Sequence, residues 1–197
     1  MIIGNTSLFA IESSVTKAYE RLSFRALGFF VVHVGGRSYG RRSADSTMLA
    51  SSFDEVERRI ARRGTHNVSF AVEPDAGRIA DAFRDAAYAD RPKESYFDIP
   101  KIRFAEMVHV KRIVWAPDGD EAFDDRSYIL QFDILDSVRL IAFKCGQGFF
   151  HDPTTLTDIS LPSEDFYGLL RKWHDAFEAE WASLEKEAES GSTDQVP

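Results

Sequence analysis

Apolar and polar positions along the chain fall into two rhythms, one of period two and one of period three to four. Residues 1–13 (MIIGNTSLFAIES) are apolar and rich in β-forming side chains, and predict a first strand. Residues 28–33, the pair Gly35-Gly36 and residues 37–41 predict a hairpin, because adjacent glycines suit the positive φ of a two-residue turn. Ser52, with Glu55 three positions on, has the form of a capping box and predicts a helix that ends at Gly64. Residues 66–73 alternate, with Val68, Phe70 and Val72 on one face, and predict a strand. A second helix begins at Asp75, carries Ile79, Ala82, Phe83 and Ala86 at helical spacing, and is stopped by Pro92.

From Ile102 the pattern returns to strands: residues 104–115, an acidic loop over 116–126, residues 127–135, a tight turn at Asp136-Ser137, and residues 138–145. Short turns between neighbours predict an antiparallel meander. Ser163 then stands as an N-cap, with Glu164 and Asp165 in the first turn. Phe166, Leu169, Leu170, Trp173, Phe177, Trp181 and Leu184 form an apolar stripe on a helix of about 25 residues. That stripe reads as core laid across the sheet, the other reading being a face for a partner. The fold class expected is α+β, a mostly antiparallel sheet with helices packed mainly on one face and a long C-terminal helix. Residues 1–188 read as one domain, and 189–197, where apolar residues fall away, as a disordered tail.

Composition narrows the function classes. Sixteen Phe, 6 Tyr and 3 Trp in 197 residues support a packed interior. No apolar run reaches the roughly 20 residues of a membrane helix, and the first residues lack a basic leader and a cleavage site, so a cytoplasmic protein is expected. The single cysteine, Cys145, offers no internal disulfide and no cysteine-based metal site; its strand-like surroundings suggest a buried, inert thiol. Net charge is −8, divided as +1 over residues 1–99 and −9 over residues 100–197. An acidic second half repels nucleic acid and favours a basic partner, or simply solubility.

A search for catalytic groupings returns little. His33, His66, His109, His151 and His174 are scattered, and no pair has the spacing of a zinc motif. Gly35 to Gly40 is glycine-rich but is followed by a strand rather than a phosphate-binding helix. The segment Asp118, Gly119, Asp120, Glu121, Ala122, Phe123, Asp124, Asp125 concentrates carboxylates, yet Gly119 falls out of order for a calcium loop. It reads as a solvated loop, a metal site or an acidic contact surface with Phe123 as apolar anchor. Arg58, Arg59, Arg62 and Arg63 form the one basic cluster, offset by Asp54, Glu55 and Glu57, and read as a solvated face. For a divalent-metal hydrolase or nuclease the raw material would be Glu106 with Lys111, or Asp133 and Asp136; no cofactor or metal is expected.

Three stretches carry a family resemblance: Met1-Ile2-Ile3-Gly4-Asn5 with Phe9-Ala10-Ile11-Glu12; Ser137-Val138-Arg139-Leu140-Ile141-Ala142-Phe143-Lys144; and Ile159-Ser160-Leu161-Pro162-Ser163-Glu164-Asp165-Phe166-Tyr167 leading into a Trp-containing helix. Together they resemble immunity-protein family forty-two, bacterial antidotes encoded beside polymorphic or contact-dependent inhibition toxins. The resemblance implies a non-catalytic, cytosolic α+β protein that binds the C-terminal toxin domain of a cognate effector. It carries over no functional residue. Asp118, Asp120, Glu121, Phe123, Asp124 and Asp125 are therefore the toxin-binding residues expected from the acidic segment alone, most suited to a nuclease with a basic groove. The competing readings are the metal-dependent hydrolase and an adaptor or secretion chaperone docking through the C-terminal helix. Neither nucleic acid nor membrane is an expected partner, and the sequence leaves the oligomeric state open.

Overall fold

The computed structural model describes residues 1–115, 120–146, 148 and 150–187. Two antiparallel strands, β1 (Ile2–Asn5) and β2 (Phe9–Tyr19), occupy the segment expected as one strand. The Asn5 carbonyl accepts the Leu8 N–H at 2.9 Å and its side-chain oxygen accepts the Ser7 N–H at 2.9 Å. This Asx-type turn is what the polar Asn5-Thr6-Ser7 step encodes. The next hairpin, β3 (Ala26–Val34) to β4 (Arg37–Tyr39), is as expected, with Gly35 and Gly36 at φ +56° and +82°. A Cβ at Gly35 would also lie 2.5 Å from Thr157 Cγ2, so glycine lets the turn press against a later strand.

A short β5 (Thr47–Met48) pairs with β3 and leads into α1 (Leu49–Ala61). The expected capping box does not form. Met48 takes the cap position without a side-chain bond, and the Ser52 hydroxyl is buried within the first turn. Burying Leu49 together with Phe53 and Val56 outweighs a cap worth about 1 kcal/mol.

Two expected strands take other forms. Within residues 66–73 the chain makes a 3₁₀ turn, Ser69–Val72. The Asp133 carboxylate and N–H both engage the His66 backbone, ending the pairing after one residue. Phe70 turns inward and Val72 is left exposed. After α2 (Ala76–Tyr88), capped by Asp75 as expected, and the small hairpin β6 (Ser95–Tyr96) and β7 (Ile99–Pro100), the segment read as a strand from Phe104 is α3 (Lys101–Val110). Ala105, Glu106 and Met107 are good helix formers, and a helix lets Phe104 alone reach the core. Only the last residues of that segment are extended: the Trp115 N–H donates to the Ile129 carbonyl at 2.7 Å, closing the free edge of the next strand.

That strand, β8 (Ser127–Ile134), pairs with β9 (Ser137–Lys144), which pairs with β10 (Thr157–Pro162), giving the antiparallel meander. The long helix α4 (Ser163–Ser183) follows at once, with Pro162 rather than Ser163 in the cap position. Its stripe is core: Phe166, Leu170, Trp173 and Phe177 are fully buried, Leu169 and Trp181 pack against them, and Leu184 lies beyond the helix. Finally β11 (Lys186–Glu187) lies parallel to β2. The expected tail, residues 189–197, falls outside the described residues.

The class is α+β with mostly antiparallel sheets. Helices α1 and α4 lie between the larger sheet, built on β1–β2–β3–β4, and the three-stranded sheet β8–β9–β10. Helices α2 and α3 cover the far face of the three-stranded sheet. In β9, Val138, Leu140 and Ala142 face the first cluster and Ile141 and Phe143 the second, so both faces are apolar. Trp173 is central to the first cluster: its ring meets Phe30 edge-on at 5.1 Å and its Nε1–H donates to Ser13 Oγ at 3.0 Å. Trp173→Ala should destabilise the protein by about 3–5 kcal/mol, read as a lowered denaturant midpoint; an unmoved midpoint would remove the stripe from the core.

Candidate functional site

The acidic segment expected to hold the contact surface enters β8. Asp118 lies outside the described residues. Asp120 caps a 3₁₀ turn, Glu121–Phe123, its Oδ1 accepting the Ala122 N–H at 3.0 Å. Burial pushes the Asp120 carboxyl up to about 6, aided by the charges of Glu55, Glu121 and Asp124 and opposed by the Ala122 bond. Glu121 and Asp124 are exposed. Phe123 corrects the expectation: it is 6% exposed and meets Phe30 edge-on at 6.3 Å, anchoring the loop to the protein's own core rather than to a partner. Asp125 is likewise engaged, accepting Lys144 Nζ at 2.5 Å, Gly40 N–H at 3.3 Å and Ser127 N–H at 3.1 Å. Among the described residues of this set, Glu121 and Asp124 are thus the ones that present exposed carboxylates.

Beneath the sheet lies a buried polar network that sequence spacing gave no means of finding. Arg59, 1% exposed, places Nε 3.0 Å from Glu55 Oε1 and donates to Gln131 Oε1 at 2.9 Å and to the Val114 carbonyl at 2.6 Å. Gln131 donates to the Tyr167 hydroxyl at 2.8 Å, which in turn donates to Asp133 Oδ1 at 2.8 Å. Burial lowers the Arg59 pKa against the pull of Glu55, and raises that of Tyr167 together with Asp133. His66 donates through Nδ1 to the Lys111 and Arg112 carbonyls at 2.9 and 3.1 Å, while burial and then Arg59 hold its pKa down to about 4. A salt-linked group of this kind fixes how α1, β8 and α4 meet.

The basic cluster, on α1 and the two residues after it, is a solvated face only in part, Arg58 and Arg63 being exposed. Arg59 is buried, Arg62 donates to the Val110 carbonyl at 2.8 Å, Arg63 pairs with Glu164 at 2.5 Å, and Arg58 with Asp54 at 3.4 Å. The residues weighed for metal chemistry are also dispersed. Glu106 pairs with Arg103 at 2.6 Å, Lys111 donates to Asn67 at 2.9 Å, Asp133 belongs to the buried network and Asp136 to the exposed β8–β9 turn. Among the described residues, no three His, Cys, Asp or Glu side chains come together as a metal site. Cys145, expected to be buried, is half-exposed.

One hydrogen-bonded chain has catalytic order. On the face of the larger sheet away from the helices, Ser38 Oγ lies 3.1 Å from His33 Nδ1 and His33 Nε2 lies 2.9 Å from Glu12 Oε2, whose other oxygen is held by Arg42. Cross-strand register makes this set: His33 pairs with Ser38 on one side, and Glu12 sits one diagonal step away on the other. The set arises from strand pairing, with Glu12 and His33 lying 21 positions apart in the chain.

Several charged side chains, Arg59 and Asp133 among them, are buried and hold the fold, while Glu121, Asp124, Glu164 and Asp165 stand exposed. The chain matches the family described as Immunity protein 42 over residues 1–176, and it belongs to that family. Among solved structures it is similar to CdiI from Burkholderia dolosa AUO158, at 16% identity and a TM-score of 0.54, over 89% of this chain and 99% of that one. That likeness is one of fold. No curated protein matches the chain. No described helix is long and apolar enough to cross a membrane.

Asp120 gives a pH test with a definite sign. Its folded-state pKa of about 6 lies above the usual 3.8, so its charge opposes folding above pH 6 and the penalty fades as the carboxyl protonates toward pH 4. Asp120→Asn, which keeps the cap, should stabilise the protein on the order of 1–3 kcal/mol at pH 8 and progressively less at pH 6 and 4. Denaturant melts at the three pH values measure it.

Proposed function

We propose that this protein neutralises the C-terminal toxin domain of a cognate polymorphic or contact-dependent inhibition effector by stoichiometric binding, without turnover. Membership of the immunity family over residues 1–176 carries the reading. A stable complex of this kind needs a contact of about 1,600 Å² in total with a few anchors and a charged rim, and no reactive group. The net charge of −9 over residues 100–197 supports a toxin with a basic surface, such as the substrate groove of a nuclease.

Cells expressing the toxin domain of the neighbouring effector should be rescued by this protein, and the two should co-purify one to one. Absence of rescue would return the weight to the other classes. Within the complex, Glu121 and Asp124 are the proposed steering charges. Reversing both to Lys should slow association about tenfold at low salt and flatten its salt dependence, while leaving the melting temperature in place. Unchanged association kinetics would show that the toxin approaches elsewhere.

A hydrolytic reading rests on the Ser38–His33–Glu12 chain. Here Ser38 would be the nucleophile and His33 its base. Ser38→Ala separates the two readings: protection at unchanged dose fits stoichiometric binding, whereas protection lost with the complex intact would fit catalysis.

A further inference from the structure

The β8–β9 turn holds a leucine where neither backbone nor side chain favours one. Ile134 pairs with Ser137, leaving Leu135 and Asp136 as a two-residue loop. Leu135 has φ +52° and is 97% exposed. At positive φ the Cβ of an L-residue crowds its own backbone, so glycine, asparagine or aspartate normally fills such positions. Two other large side chains held at positive φ in this protein, Phe97 and Arg25, each make a ring contact. Phe97 stacks on Phe70 at 5.6 Å and the Arg25 guanidinium lies 3.9 Å over the Phe53 ring. Leu135 gains no such contact among the described residues, and strain held at an exposed residue points outward.

Its surroundings describe the counterpart. Leu135 borders a shallow depression of about 550 Å³ whose apolar lining comes from Ile134, Leu161 and Pro162. The Ser163 N–H donates to the Asp136 carbonyl at 2.8 Å, which brings the first turn of α4 beside the loop with its exposed Glu164 and Asp165. An apolar knob is thereby rimmed by carboxylates from two elements, Asp136 on the turn and Glu164 and Asp165 on the helix, Glu164 being shared with Arg63.

We infer that Leu135 is the apolar anchor of the toxin interface, inserting into a hydrophobic socket of the toxin domain bordered by basic side chains. This deepens the binding function proposed above and rests on it. It also supplies the anchor that Phe123, being buried, cannot.

The test uses the full chain and the cognate toxin domain, with dissociation followed by surface-immobilised binding and stability by thermal melting. Leu135→Gly and Leu135→Asn both suit positive φ and should leave the melting temperature unchanged or raised, while dissociation speeds by about tenfold or more. Leu135→Met, which keeps an apolar knob, should stay within about threefold of the original. Unchanged dissociation for Gly and Asn would overturn the inference, as would a lowered melting temperature in both, which would make the leucine structural. A protein that is dimeric alone and becomes monomeric on Leu135→Asn, with toxin binding intact, would assign the knob to a second copy and also overturn it. Failure of the unaltered chain to bind the toxin would instead overturn the functional reading itself.

Discussion

Everything in this structure depends on a three-stranded sheet that is apolar on both faces. A sheet of β8, β9 and β10 alone would expose two hydrophobic surfaces, so neither can be left to water. One face draws down α1 and α4, the other α2 and α3 with the aromatic group of Phe70, Phe104 and Phe132. The larger sheet then closes the first cluster from its far side. Where β8 must carry a polar residue inward, at Gln131, the cost is met by a complete set of partners in Arg59 and Tyr167.

That arrangement limits where function can reside. Most of the long aromatic side chains and several of the charged ones are committed to the interior, as Arg59, Asp133 and Phe123 illustrate. What remains available is the rim: turns at the ends of the two sheets and the first turn of a helix. Recognition by such a surface relies on shape and charge.

The parts legible from sequence were those with a strong local rule. Gly35-Gly36 needed positive φ, Asp75 a cap, and the stripe from Phe166 to Phe177 a buried helical face; each is found in place. The misreadings share a cause. Residues 66–73 alternate as a strand would, and Val108 and Val110 are β-prone beside the helix formers Ala105, Glu106 and Met107, but the edge of β8 is taken by His66 and by residues 113–115 alone. Ser52 looked like a cap because a local motif was weighed without the burial of Leu49. Phe123 looked like an exposed anchor because its acidic neighbours are polar, while its ring follows the 3₁₀ turn inward. Contacts made across the fold, such as Arg59 with Gln131 or His33 with Glu12, leave no trace in spacing.

The larger sheet closes late. Trp173 reaches Ser13 across 160 positions of sequence, the Trp181 indole donates to the carbonyls of Tyr19 and Arg25, and β11 completes the sheet beside β2. While the chain is being synthesised, β2 and β3 therefore emerge long before the helix that covers them, and their apolar face waits for it. For an antidote this sets a lag: folding waits until the chain has been made through α4 and β11, so a stock of already folded molecules is what meets an arriving toxin.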